Sequence, residues 1–394
     1  MGGLAGGSAA APGYHPAVRG SALPPLWRVP AAFALALILM VGTTRLLQGR
    51  TVQFWQPLLG IQCERFQACA DLAREEGPLD VVFLGTSLTQ HGFSATLLEE
   101  IAAADLGRPV RAFNLATQGS GIRLDPLVLR DLLLQGEPPR VLVVEASPER
   151  LNVHNVFNED EFLRYYGQVP DALHSLAHGA DPALPVRALV RGPGVLFQRM
   201  VLPAGRPPMS RRIAEARQRR GSRYWPGDWP ELQEERAEVV AQTRRVLRDR
   251  EGLSQEEIAA YTPEMLEEYR IRHHAGKVRE RRLADYEIAP LIRHEFEGLL
   301  ERARERGVQV VLYDPPSSAM LEELTMEPWI LELWRSYLEE IRERYGVELV
   351  EPTELLPRLE GLYRDGDHLA AEGCRLFTGW FYETALARRL RPGP

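Results

Sequence analysis

The sequence predicts an α/β fold built on a parallel sheet, and the observations behind this are few. The run Val81-Val82-Phe83-Leu84 is continuously apolar, as a strand covered on both faces must be, and Gly85 ends it where the chain turns. Strands are likewise expected over 141–146 and 308–313, each apolar but for one polar residue, Glu145 and Gln309. Stretches of helical periodicity separate them, and strands alternating with helices of this length indicate βαβ units. The size fits: 394 residues, 45% of them hydrophobic and 26% charged, can bury one large core and an accessory region. A net charge of -7 argues against a nucleic-acid partner, and no zinc-finger, P-loop or dinucleotide fingerprint is present.

In chain order, residues 1–26 are rich in Gly, Ala and Pro with Arg19 as their one charged side chain, which predicts a disordered tail. Residues 29–44 form an uncharged run between Arg28 and Arg45. The run is short against the about 20 residues a bilayer needs, so flanking residues must help it span. It reads as an uncleaved transmembrane anchor over 27–46, with a cleaved signal peptide and a buried core helix as the competing readings. Residues 47–78 form an amphipathic connector whose Phe54, Trp55, Leu58, Leu59 and Ile61 can pack on the domain or lie at the bilayer surface. The domain proper begins at 79 with the strand over 81–84. Thr96 followed by Glu99 suggests a capping box, hence a helix around 97–104. A strand over 109–115, a helix over 124–134 and a strand over 141–146 follow.

Between 152 and 284 the alternation is lost, and a largely helical insertion is expected. Five arginines in ten residues, Arg211, Arg212, Arg217, Arg219 and Arg220, suit either recognition of phosphate or carboxylate groups or a solvated helix face balanced by later acids. Trp225 and Trp229 can stack on sugar rings or anchor the insertion. His174 and His178 have the spacing of a metal pair, yet no further ligand completes a site, so no metal is expected. Cys63 and Cys69 are close enough to pair in an oxidising compartment or to be buried thiols, and Cys374 reads as core. The rhythm resumes with a helix over 288–306, the strand over 308–313, a helix over 329–345, a strand over 347–350 and a last helix over 371–389.

The chemistry lies at the two ends of this domain. Gly85-Thr86-Ser87 delivers a hydroxyl to the carboxyl end of a strand, where open α/β sheets bind ligands. Near the other end, Asp365 stands three residues before His368. A carboxylate that accepts from one imidazole nitrogen leaves the other to take a proton from a serine, the logic of a Ser-His-Asp triad.

These motifs, in the order Ser87, Asp365, His368, resemble the first and last blocks of the SGNH/GDSL hydrolase superfamily. Phe113-Asn114-Leu-Ala-Thr-Gln-Gly119 is similar to its second block. The resemblance implies a three-layer α/β/α sandwich, flavodoxin-like, with Ser87 as nucleophile, His368 as general base and Asp365 orienting it. It further implies an oxyanion hole from the amides of Ser87 and Gly119, and substrate contacts from Asn114 and Asn152. The chain departs from the family where Gly-x-Asn-Asp is expected, since Glu145-Ala-Ser-Pro ends the strand there; Ser147 or Asn152 are the candidates for a third donor. The chain looks most like the single-span subset serving acyl transfer to envelope or exported polysaccharides, including teichoic acid D-alanylation and glycan O-acetylation. That implies a membrane-anchored acyl esterase or O-acyltransferase with an extracytoplasmic domain, an acylated glycan substrate, a membrane-bound O-acyltransferase as possible partner, and no cofactor. The alternatives are a non-catalytic partner of such a system and a structural envelope protein.

Overall fold

The computed structural model describes residues 60–133, 137–158, 177, 209–227 and 229–391. The expected tail, the anchor over 27–46 and the His174/His178 pair lie outside these. No helix among the described residues is long and apolar enough to cross a membrane.

The domain is α/β. Five parallel strands, β1 (Val81–Leu84), β2 (Ala112–Asn114), β3 (Val141–Glu145), β4 (Gln309–Tyr313) and β5 (Glu348–Val350), lie in the order β2-β1-β3-β4-β5. The chain leaves β1 for one edge and returns across it to β3. This reversal opens a crevice at the carboxyl ends of β1 and β3, the switch point where such sheets bind ligands.

Strand side chains alternate between two apolar layers. Val82, Leu84, Leu142, Val144 and Leu312 meet Phe296 and Leu299 of the Pro290–Glu305 helix and Trp334 and Ile341 of the Pro328–Tyr345 helix. Val81, Phe83, Val143, Val311 and Tyr313 meet Leu98 of the Ala95–Leu106 helix and Phe377 and Phe381 of the Ala371–Phe381 helix. Burial on both faces is why these strands read as unbroken apolar runs rather than as alternating ones.

Local details depart from expectation. The Ala95–Leu106 helix is capped by Ser94, whose hydroxyl accepts from the Leu97 amide, and Glu99 instead accepts from the Ala112 amide at 2.8 Å. Thr96 and Glu99 therefore make no capping box; Glu99 ties helix to strand. The expected helix over 124–134 is one α-turn, Leu124–Val128, running into a π-turn, Leu129–Leu133, and the last helix passes through a π-turn at Tyr382–Leu386.

The insertion is helical where described, with helices Met209–Gln218, Leu232–Arg250, Gln255–Ala259 and Pro263–Arg281. Its arginines are mostly structural. Arg217 pairs with Asp71 and Glu75, Arg220 with Glu76 and Glu99, and Arg211 with Glu215. Trp229 stacks on Tyr224, which packs with Ala371 and Cys374, so this tryptophan anchors the insertion to the last helix. Ile271 and Ala275 pack against Leu321, bringing the Pro263–Arg281 helix to the rim of the crevice. Cys69 and Cys374 are buried free thiols.

One buried ion pair braces the carboxyl end of β3. Arg150 bonds Asp125 at 2.9 Å and the Glu145 carbonyl at 2.7 Å, with both side chains sealed from solvent. Removing one partner of such a pair strands a buried charge, typically at a cost of about 3–5 kcal/mol. Arg150→Ala should accordingly lower the thermal midpoint sharply in a calorimetric scan, while Arg150→Ala with Asp125→Ala recovers part of the loss.

Candidate active site

Ser87 sits at the first turn of a short helix, Ser87–Gly92, that begins three residues after β1. Thr86 caps it, its hydroxyl accepting from the Leu88 amide at 3.1 Å. This helix was not anticipated, because six residues are too few to show periodicity.

Beneath the turn lies Glu145, fully buried at the end of β3. Its carboxylate accepts from the Thr86 amide at 2.7 Å, from the Thr86 hydroxyl at 2.9 Å, from the Thr89 hydroxyl at 2.5 Å and from Ser147 at 3.2 Å. A carboxylate only accepts, so the Thr89 hydrogen points to Glu145 and Tyr313, 2.5 Å from Thr89, donates to it in turn. Glu145 is the residue that sequence reasoning missed here. Its signal was a lone acid closing an otherwise apolar, two-face-buried run.

His368 stands at the end of a tight hairpin closed by a bridge between Tyr363 and Leu369 and by the Arg364 amide donating to the His368 carbonyl at 2.7 Å. Gly366 takes the left-handed conformation at φ 96° that the turn requires. The hairpin is pinned from outside where the Ser318 amide donates to the Gly366 carbonyl at 2.7 Å. Within it, Asp365 accepts from the His368 amide at 3.0 Å and from its Nδ1 at 2.8 Å. The other ring nitrogen, Nε2, is 2.7 Å from Ser87 Oγ. The structure thus brings together Ser87, His368 and Asp365 at hydrogen-bond distances across most of the chain.

A second carboxylate joins them. Asp367, buried, places Oδ1 2.8 Å from His368 Nδ1, but off the axis of a hydrogen bond, so it acts on the ring as a neighbouring charge. Its other oxygen is 2.7 Å from Nε2 of His274, supplied by the insertion. Arg282, on Glu149 at 2.7 Å, lies 3.8 Å from the same oxygen. Burial alone would lower the pKa of His368, but Asp367 and Asp365 outweigh it and push it up to about 10. Burial would likewise raise the Asp367 carboxyl, yet His368 and His274 hold it well below the usual range. Asp365, Asp367 and His368 bring ligand-type atoms within 4.8 Å of one another. Both imidazole nitrogens are already committed, one to Asp365 and one to Ser87, so the cluster is read as an acid–imidazole assembly. Neither Asp367 nor His274 was singled out in the sequence.

The loop after β2 carries Gly119. It is tied to Gly85 by the Thr117 amide at 2.7 Å and the Ser120 hydroxyl at 3.0 Å. Gly119 is left-handed at φ 62°, and a Cβ there would meet Phe157 at 2.7 Å. Among the described residues, neither the Ser87 amide nor the Gly119 amide donates a hydrogen bond. Asn114 and Asn152 are arranged otherwise than expected. Asn114 donates to the Thr89 and Phe93 carbonyls and accepts from Ala116. Asn152 donates to the Arg282 and Ala284 carbonyls and accepts from His154 and Glu287. Both amides are spent as internal ties rather than offered to a substrate. Ser147, whose hydroxyl goes to Glu145, is committed in the same way, so the third-donor position is unfilled by either candidate.

No family model matches the chain, and no curated protein does.

The close approach of Glu145 explains Gly85. A Cβ there would fall 1.8 Å from the Thr89 hydroxyl and 2.6 Å from the Glu145 carboxylate. Gly85→Ala should displace that carboxylate and with it Ser87, seen as loss of labelling by a fluorophosphonate together with a lowered melting temperature. Labelling and stability both at the wild-type level would show that the turn does not depend on Glu145.

Proposed function

We propose that this protein is a serine acyl esterase or O-acyltransferase of the SGNH/GDSL kind, with the three-layer α/β/α arrangement of that superfamily. The observation that carries the reading is the unbroken relay from Ser87 Oγ to His368 Nε2 at 2.7 Å and from His368 Nδ1 to Asp365 at 2.8 Å. In it, Ser87 attacks an acyl carbonyl while His368 takes its proton. The amides of Ser87 and Gly119, which donate no hydrogen bond among the described residues, would serve the developing oxyanion, each such donor being worth about 3 kcal/mol. His368 then protonates the leaving alcohol, and water or a sugar hydroxyl resolves the acyl-enzyme by the reverse path. The apolar run over 27–46 would anchor the domain at the outer face of a membrane, where acylated envelope or exported glycans are the substrates. A second reading, a non-catalytic partner of a membrane-bound O-acyltransferase, is favoured by one observation, the commitment of Ser147 and Asn152 elsewhere.

Ser87→Ala decides between them. Hydrolysis of p-nitrophenyl acetate should vanish with the melting temperature unchanged; equal rates in wild type and variant would leave the partner reading. Losing the Asp partner costs triads ~10⁴-fold. Here Asp365→Asn should cost less, because Asp367 still places a charge beside the imidazole, and the doubly substituted Asp365→Asn, Asp367→Asn protein should fall the full distance.

The elevated pKa of His368 sets the pH dependence. The imidazole must lose its proton to act as base, so kcat/KM should rise from neutral pH toward about 10. Stability runs the other way. A histidine raised on folding from its unperturbed ~6.5 contributes stability that is fully present below that value and is lost as pH climbs through the folded one. Asp367→Asn should shift the rising limb of the rate profile to lower pH; an unmoved limb would remove Asp367 from the assembly.

A further inference from the structure

The hairpin that presents His368 is held at its base by the insertion. Glu235, on the Leu232–Arg250 helix, is buried, and its carboxylate accepts from the Ala371 amide at 2.7 Å and from the Tyr224 hydroxyl at 2.6 Å. That hydroxyl has one hydrogen, directed to Glu235 and shared with the Leu369 carbonyl at 3.2 Å. Arg364, next in the chain to Asp365, pairs with Glu235 and Glu238 at 3.5 Å. Arg236 donates to the Gly361 carbonyl at 2.5 Å. The insertion therefore grips the chain before Asp365 and again just after His368.

Local sequence explains why the grip is needed. The Ala371–Phe381 helix has Ala370 as its N-cap, and an alanine side chain accepts nothing. An uncapped start leaves amides unsatisfied. Glu235 accepts from the first of them, placing a carboxylate at the positive end of the helix from 136 residues away. Burial, then Glu235, raises the pKa of the Tyr224 phenol, so it stays a donor. Tyr224 also packs edge-on against His91 with centroids 5.6 Å apart, and His91 packs in the same way against His368 at 4.9 Å. Glu235 thus backs His368 by two routes, the backbone at Leu369 and Ala371 and the rings of Tyr224 and His91.

We infer that Glu235 is a positioning residue for the reaction: it holds the His368 hairpin at the distance from Ser87 that proton transfer requires. It does for His368 what Glu145 does for Ser87, and it makes the insertion part of the reaction apparatus. The inference rests on the esterase reading. With Nε2 already 2.7 Å from Ser87 Oγ, a small displacement of the hairpin breaks the relay, and a shift of about 1 Å can cost about 10²-fold in rate.

The test uses the full chain and separates turnover, stability and local opening. In Glu235→Ala, kcat for p-nitrophenyl acetate should fall about 10²-fold with KM unchanged. Hydrogen exchange over 361–371 should quicken while that over 81–92 does not. Glu235→Gln, which keeps one accepting oxygen, should lie between. Adding Ala370→Ser to Glu235→Ala restores a cap to the helix, so it should recover melting temperature and leave kcat low. Tyr224→Phe deletes only the bridging hydroxyl and should give a smaller fall of the same kind, which decides the matter if Glu235→Ala does not fold. Wild-type kcat in Glu235→Gln and Tyr224→Phe overturns the inference, as does recovery of kcat together with melting temperature on adding Ala370→Ser. If wild type hydrolyses no ester, the esterase reading falls; the grip on the hairpin then stands if exchange over 361–371 quickens in Glu235→Gln and falls if it does not.

Discussion

The buried carboxylate of Glu145 is the constraint on which the rest of the site depends. A carboxyl group sealed from water is tolerable only where hydrogen-bond partners replace its hydration. Here the donors come from the stretch that carries Ser87, through the Thr86 amide and the hydroxyls of Thr86 and Thr89. The cost of burying Glu145 is thus offset only if the chain after β1 turns in one way, so the demand for satisfaction fixes the place of Ser87. Arg150 bonds the Glu145 carbonyl and Asp125, bracing the carboxyl end of β3 against the loop that leads from Gly119. Strand pairing puts β1 and β3 side by side, and the polar network begins where their apolar pairing ends.

The insertion completes this arrangement from the opposite side. Its last long helix carries His274 to Asp367, and Asn152, where the insertion leaves the sheet, bonds carbonyls at the point where it returns. Both ends of a long excursion are tied close to the hairpin that carries His368. The insertion therefore shares in holding the charge state of His368 rather than merely covering the crevice.

The parallel sheet was legible because burial on both faces leaves uninterrupted runs such as 81–84 and 141–144, and Ser87, Asp365 and His368 were legible because their spacing carries a chemical logic. What escaped notice follows a pattern as well. Glu145 and Asp367 act through surroundings that only the fold assembles, and His274 reaches Asp367 across 93 residues of chain. Asn114 and Asn152 misled because an amide beside a motif reads as a ligand contact, whereas burial makes both of them satisfy backbone carbonyls. Thr96 and Glu99 had the spacing of a cap, but Ser94 stood nearer the true helix start and the strand edge at Ala112 claimed the glutamate.

His368 lies between two fields of opposite sign. On its Nδ1 side are Asp365 and Asp367; on the side of His91 are Arg364 and Arg223. The two histidines touch edge to face, so a proton could in principle reside on either. The carboxylates raise the affinity of His368 while burial and the arginines lower that of His91, and the separation between them assigns the proton to the ring that faces Ser87. Burial, more than the neighbouring charges of His368, Arg364 and Arg223, holds His91 well below its ordinary pKa.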